Sequence, residues 1–388
     1  MKIAVVGAGM GGLAFAALAA QAGRDVTLIE RFHAPGPVGS GLVIQPVGLA
    51  VLDRIGAGNT ARALGVPIAR MLGHAAGRRI PVLDVSYRPQ APGLALHRAA
   101  LFSCLWQAAQ AAGVPVVTDA TVLAAPLEGA QRRLILADGR HLGPFDLVVD
   151  ASGSSSALSA LKARQLAYGA VWASVPWPDD SPLPGDQLRQ RYRGAAQMMG
   201  VLPIGQMQPG GPRLAALFWS LPVTQIEAFR AAGLAVWQAQ ARALWPEAEP
   251  FTAAITDLGQ FSAARYAHGT LRRPHAPALV QIGDAAHRAR PQLGQGANMA
   301  LLDALALALA LEGDDPLATY AAMRRWHVRA YQGMSAAFTP MYQSGSRALP
   351  PLRDHLLAPL SRLPGMRHLL TALVSGTMLP PLAGERFP

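Results

Sequence analysis

Short apolar runs, broken at regular intervals by glycine and proline, mark out most of this chain. Residues 2–6 read as a buried strand that leads through a glycine-rich turn into an uncharged segment. There Leu13, Ala16, Ala17 and Ala20 supply a small-residue helix face. Gly23 ends that helix and residues 26–29 form a second strand. Residues 39–46 predict a glycine-hinged strand, 47–55 a short helix and 66–96 a set of small strands carrying His74 and Tyr87. A helix at 99–112 ends at Gly113. Strands follow at 114–118, at 134–137 before the Asp138-Gly139 turn, and at 147–150. From 166 to 223 the pattern changes to strands at 168–175, 188–192, 197–202 and 214–221 between Pro/Gly clusters, the spacing of an antiparallel sheet. A helix at 224–244, an apolar strand at 278–282 and a strongly apolar helix at 298–311 complete the order. The chain thus reads as an α/β fold interrupted by an antiparallel insertion.

The opening turn carries chemistry. In Gly7-Ala-Gly9-Met-Gly11-Gly12, Gly7 permits the tight turn, Gly9 lets the backbone approach a pyrophosphate, and Gly12 lets the helix pack close to the strand. A pyrophosphate would sit on the helix N-terminus, where unpaired N–H groups and the dipole favour an anion. Glu30, closing the second strand, is placed to accept hydrogen bonds from a ribose diol, which favours an unphosphorylated ribose. Residues 3–23 carry no charge and are long enough to span a bilayer. The glycines, however, fall where a phosphate turn needs them, so the stretch reads as a dinucleotide site.

Composition narrows the class. With 51% hydrophobic and 15% charged residues, the 388-residue chain can bury a large core. The single cysteine, Cys104, excludes a disulfide framework and a cysteine-ligated metal cluster, and points to a cytoplasmic protein. The net charge of +11 comes almost wholly from arginine, with Lys2 and Lys162 the only lysines. Few aromatics and no basic run exclude nucleic acid. The tail, 350–382, has apolar residues at helical spacing interrupted by Pro359, Pro364, Pro380 and Pro381. It reads as a cap on the core or as a basic amphipathic surface for peripheral membrane contact.

Three further stretches complete the picture: His97-Arg98 with Leu101 and Leu105; Asp146-Leu-Val-Val-Asp150-Ala-Ser-Gly153; and Gly283-Asp284-Ala-Ala-His287 running through Pro291, Gly294-Gln295-Gly296-Ala297-Asn298 to Asp303. With the opening turn and Glu30-Arg31, they identify a chain that resembles the FAD-dependent aromatic hydroxylases, flavoprotein monooxygenases of the p-hydroxybenzoate hydroxylase type. The resemblance implies a Rossmann-like FAD-binding domain (1–70, 96–165 and 275–345), an inserted antiparallel-sheet substrate domain (71–95 and 166–274) and a C-terminal helical cap (346–388). It assigns Gly7, Gly9, Gly11, Gly12, Glu30, Arg31, Arg98, Gly283, Asp284, Pro291, Gly294, Gly296, Ala297 and Asn298 to the cofactor. Asp284 would bind the ribityl chain, Arg98 would lie over the cofactor, and His287 reads as structural. The chain departs from the family where Ser152 replaces an acid and near Ser159, where an arginine is usual. Both changes bear on electron delivery.

The implied reaction is hydroxylation of a small or medium, largely apolar, aromatic substrate by O2, through a flavin C4a-hydroperoxide. NADPH or NADH is the reductant, with a separate flavin reductase as the other electron source, and no metal is required. A reductase that does not use O2 and a non-catalytic flavin-binding partner are the competing readings. The pocket is expected between the inserted sheet and the flavin, walled by Tyr192, Gln197, Met199, Leu217 and Trp219. Alternation sets Gln197, Met199 and Val201 on one face. Tyr192, His74 and Pro291 are the candidate catalytic residues.

Overall fold

The computed structural model describes residues 1–34, 36 and 39–384. Positions 35, 37 and 38 of the predicted FAD-binding domain and 385–388 of the predicted cap lie outside it. The central sheet has six strands in the order His275–Ala276, Leu279–Gln281, Leu147–Asp150, Lys2–Val6, Asp25–Ile29, Val116–Val117. All pairings are parallel except that of the outermost His275–Ala276. Alternation along Lys2–Val6 feeds two cores. Ile3 and Val5 pack with Leu13, Leu105 and Leu301 on the helices Met10–Gln21, Arg98–Ala111 and Gly296–Ala310. Ala4 and Val6 pack with Leu134, Leu136 and Phe145 of a small antiparallel sheet on the other face. Such two-sided burial explains why these strands read as unbroken apolar runs.

The second large sheet has eight strands, in the order His287–Arg288, Ser262–Thr270, Arg164–Pro176, Leu214–Pro222, Gln197–Gly205, Gln187–Arg193, Arg70–Ala75, Pro81–Ser86. Gln187–Arg193 pairs parallel with Arg70–Ala75, and the other pairings are antiparallel. Its far face, with Val171, Met199, Leu217 and Trp219, is covered by the helices Leu234–Leu244 and Glu249–Ala253 through Trp237 and Phe251. Its near face rests, through Leu202, Ile204 and Ala216, on a three-stranded sheet of Gly41–Ile44, Gly93–His97 and Val66–Ile68.

The four strands expected within 166–223 form as a mutually paired set. The helix expected at 224–244 is divided: Gly233, at φ +86°, separates Ile226–Ala232 from Leu234–Leu244. Two long elements have no counterpart in the sequence reading. Ser262–Thr270 is a half-buried strand without apolar alternation. The 27-residue helix Pro316–Tyr342 buries Arg324, His327, Gln332, Ser335 and Thr339 among Tyr320, Met323, Val328 and Tyr331, so polar residues interrupt the apolar stripe that would have announced it.

Candidate active site

The glycine-rich turn crosses directly over the end of the Leu147–Asp150 strand. Gly7 has φ +103°, and a Cβ there would stand 2.7 Å from the Ala151 carbonyl oxygen. A Cβ on Gly12 would stand 2.0 Å from the carbonyl oxygen of Gly7. Both glycines are therefore required by the protein's own backbone. Gly9 differs: a Cβ there would meet nothing nearer than the Ala151 oxygen at 3.9 Å, and at Gly296 it would meet nothing within 4 Å. Both bare positions open onto a cavity of about 560 Å³, also lined by Glu30, Arg31, Arg98 and Asp284. Buried Glu30 holds the turn, accepting from the Ala8 N–H (2.7 Å) and the Phe32 N–H (3.1 Å). Each of its oxygens keeps a lone pair for a ligand hydroxyl. Arg31 donates to Ser155 Oγ at 3.0 Å.

The late motif forms the opposite wall. Asp284 opens a short turn and points into the cavity. Enclosure by protein raises its carboxyl pKa, and His287, Arg288 and Arg98 oppose that rise. Arg98 begins its helix, and its guanidinium loses some of its affinity for a proton to burial, offset by Asp284 and Tyr266. Gly296 and Ala297 start the Gly296–Ala310 helix at the cavity wall, so their N–H groups have no intrahelical partner. Gly12, Pro291, Gly294 and Asn298 are not part of that wall. Gly294 (φ +61°) turns the chain into the helix. The fully buried Asn298 side chain accepts from Gln45 N (2.8 Å) and donates to the carbonyls of Val43 and Gly294 (3.2 Å each). Its side chain thus clamps the Gly41–Ile44 strand to the helix start. Pro291 opens a turn tied to the long helix through Ser335 Oγ, which donates to the Arg290 carbonyl.

A family model described as an FAD binding domain matches residues 1–141 and 220–332. The chain belongs to the FAD-binding-domain family. Curated relatives that it resembles are aromatic hydroxylases and monooxygenases. A probable 2-heptyl-3-hydroxy-4(1H)-quinolone synthase of Rhodococcus erythropolis is 27% identical over 93% of this chain and 92% of its own. A 3-amino-4-hydroxybenzoate 2-monooxygenase of Streptomyces cremeus is 28% identical over 79% and 77%. Among solved structures, Klebsiella pneumoniae HpxO complexed with FAD and uric acid aligns at TM-score 0.81 and 21% identity over 98% of each chain. The tetrameric form of 2-methyl-3-hydroxypyridine-5-carboxylic acid oxygenase aligns at TM-score 0.76 and 22% identity, over 91% of this chain and 95% of its own. The protein is an FAD-dependent monooxygenase of the aromatic hydroxylase type, as its motifs predict.

The cavity fits the family's cofactor. Its volume is that of a cofactor site, and Gly9 and Gly296 leave space that no protein atom uses. The Asp-Ala-Ser-Gly departure also has a physical account. Ser152 donates Oγ–H (2.6 Å) and N–H (3.1 Å) to one oxygen of fully buried Asp150, and Ser156 donates to the other. An acid at 152 would set a second carboxylate against Asp150. Ser159, near where the family usually has an arginine, donates to the Ala285 carbonyl.

The substrate wall expected from alternation is corrected. Met199, Leu217 and Trp219 lie on the far face, and the Trp219 ring stands 6.4 Å from that of Trp237. Gln197 shares their face and accepts from Arg193. His74 stands opposite Arg191, on that same face; burial and then Arg191, Arg189 and Arg70 lower its pKa. Tyr192 is on the near face but fully buried. It donates to Gln190 Oε1 at 2.8 Å and packs against Tyr342, with its pKa raised well above the usual by burial. Neither His74 nor Tyr192 lines the cavity that holds Glu30, Arg98 and Asp284.

Residues that the sequence reading missed occupy the near face beside Arg98. Trp172 packs at a tilt on Phe218 (centroids 4.6 Å apart) and donates Nε1–H to Tyr266 at 3.1 Å. His97 caps the Arg98–Ala111 helix by accepting from Ala99 N, and its other nitrogen bonds Ser174 of the inserted sheet. Tyr266 sits on the strand without alternation, so no sequence signal marks it.

Behind the late motif lies a buried charge cluster. Asp303 accepts from Gly283 N (2.9 Å), His287 Nε2 (2.6 Å) and Arg324 Nε (2.7 Å). This places His287 in a structural role. Next to it, His327 donates Nε2–H to the Gly376 carbonyl. Burial, then the Arg324 charge, lowers its pKa to about 3. Folded His327 stays neutral while the unfolded chain takes up a proton below the ordinary histidine value of 6.5. Its stability contribution is therefore full above pH 6.5 and is lost as pH falls toward 3, at up to about 1.4 kcal/mol per pH unit. Denaturant titrations at pH 7.5 and 5 should show a drop of about 2 kcal/mol from this group. His327→Gln, which keeps a donor for Gly376, should remove that part of the slope; an unchanged slope would exclude this origin.

Proposed function

We propose that this monooxygenase hydroxylates a small-to-medium, largely apolar aromatic substrate held between the near face of the inserted sheet and the FAD, with NADPH or NADH as reductant. The observation that carries this reading is the character of that face. Half-buried Trp172, set against Phe218, supplies apolar surface, and Tyr266, Ser40 and Ser174 supply neutral polar groups. The ring-bearing substrates named for the relatives support it. The domain division expected from the sequence belongs to the same proposal, supported by Arg70–Ala75 and Pro81–Ser86 joining the inserted sheet.

Bound FAD supplies the redox chemistry and the activation of O2. Gly7, Gly9 and the start of the Met10–Gln21 helix would hold the pyrophosphate, Glu30 a ribose diol and Asp284 the ribityl hydroxyls. The N–H groups of Gly296 and Ala297, without an intrahelical partner, would favour negative charge on a bound flavin. Tyr266 Oη accepts from Trp172, which leaves its own proton for a substrate oxygen. The near face excludes water and fixes ring orientation.

The test is anaerobic reduction of the FAD-loaded protein by NADPH and by NADH, then admission of labelled O2 with a panel of phenols and quinolones. Bleaching by a reduced nicotinamide and one labelled oxygen in a ring hydroxyl support the proposal. Bleaching only through an added flavin reductase overturns the reductant. Substrate turnover without label overturns hydroxylation.

A further inference from the structure

We propose that the C-terminal helical segment docks this protein onto an anionic phospholipid bilayer. Among the described residues, fourteen large hydrophobic side chains are exposed, and six of them fall between 352 and 369: Leu352, Leu356, Leu360, Leu363, Met366 and Leu369. They follow one another at intervals of three or four residues along the short helical pieces of 349–360 and, past a break at 361–363, into the helix Pro364–Ser375. Each is 39–55% exposed. So concentrated an apolar patch marks an interaction site rather than ordinary surface.

The opposite side of the segment is anchored. Arg353, 1% exposed, donates to the carbonyls of Gly194 and Met341 and lies over the rings of Tyr192 and Tyr342. Thr371 Oγ1 donates to the Ser86 carbonyl, Tyr331 Oη to that of Leu373, and Gln295 Nε2 to that of Val374. The outward leucines therefore sit on a fixed platform, and folding has not paired them with anything among the described residues.

Charge selects the occupant. Arg362, whose Nη2 donates to the Pro81 carbonyl, and Arg367 flank the leucines. Arg78 reaches the segment through His355 at 2.8 Å, next to exposed Ile80. Between 341 and 384 the one acid is Asp354, and Arg353 engages it at 2.7 Å. A second copy brought onto this face by a two-fold axis would set arginines against arginines. An anionic bilayer accepts the leucines into its acyl boundary and the arginines at its headgroups. No helix among the described residues is long and apolar enough to cross a membrane, so the contact is with the surface.

The experiment is co-sedimentation of the FAD-loaded chain with vesicles of phosphatidylcholine, alone or mixed with phosphatidylglycerol, alongside size measurement in solution. The protein should pellet with the mixed vesicles. Leu363→Glu with Leu369→Glu should weaken this at least about tenfold, with flavin spectrum, thermal stability and NADPH oxidation unchanged. Arg362→Gln with Arg367→Gln should weaken it about fivefold per charge and erase the preference for phosphatidylglycerol. No pelleting overturns the proposal. Pelleting that the leucine substitutions leave intact overturns it too, because general positive charge would then be responsible. An oligomer that those substitutions split assigns the face to a second copy instead.

Discussion

Gly12→Ala should give a protein that neither folds stably nor retains FAD, whereas Gly9→Ala should fold normally and bind FAD at least about tenfold more weakly. The two residues stand three apart in one turn, but what an added methyl meets differs entirely. At Gly12 it would overlap the Gly7 carbonyl oxygen at 2.0 Å and press on the Ala151 side chain at 3.1 Å. Neither can retreat. Gly7 is held by its own N–H bond to the Ile29 carbonyl, and Ala151 by its bond to that of Val6. The penalty should exceed the ~3 kcal/mol upper end of ordinary overpacking. At Gly9 the backbone is extended (φ −76°, ψ 180°), which alanine adopts freely, and the nearest atom is 3.9 Å away. The methyl enters only the space left for the cofactor. Thermal unfolding of the FAD-free proteins with FAD titration separates the two. Equal loss of stability in both variants would refute the distinction.

Asp303→Asn should destabilise the fold by about 3–5 kcal/mol, the cost of leaving buried positive partners without their anion. Burial alone would raise the Asp303 carboxyl pKa, but the charges and hydrogen bonds of His287 and Arg324 hold it far below the usual range. Its contribution is thus complete above the unfolded carboxylate value near 3.8 and is lost as pH falls below it. The residue also fixes the cofactor site from behind, since it accepts from the Gly283 N–H next to Asp284. The same substitution should therefore weaken FAD binding without touching the cavity wall. Denaturant unfolding at pH 7 reads the first effect and FAD fluorescence titration the second. A stability loss under about 1 kcal/mol would show that the cluster's desolvation cancels its attraction.

The part of the site closest to the sequence was the most legible there. Strand, turn, helix and acid lie within 30 residues, so the roles of Gly7, Gly9, Gly12 and Glu30 follow from local backbone geometry that the residue types themselves enforce. The late Gly283-Asp284 motif was equally plain. The action of the Asn298 side chain was not legible: a clamp on Gln45, 253 positions earlier, depends on contacts that no local pattern contains.

By itself the sequence determined the α/β order, the inserted antiparallel strands and the FAD family, because periodicity and glycine placement are local constraints on the backbone. Only the tertiary structure decided which face of the inserted sheet is turned toward Arg98. That sheet is covered on both sides, so Met199, Leu217 and Trp219 on one face and Met198, Phe218 and Leu202 on the other are all apolar, and alternation separates the faces without ranking them. The long helix Pro316–Tyr342 was decided the same way. Its buried side mixes polar with apolar residues because Arg324 and His327 answer Asp303 and the C-terminal backbone, partners that folding alone brings within reach.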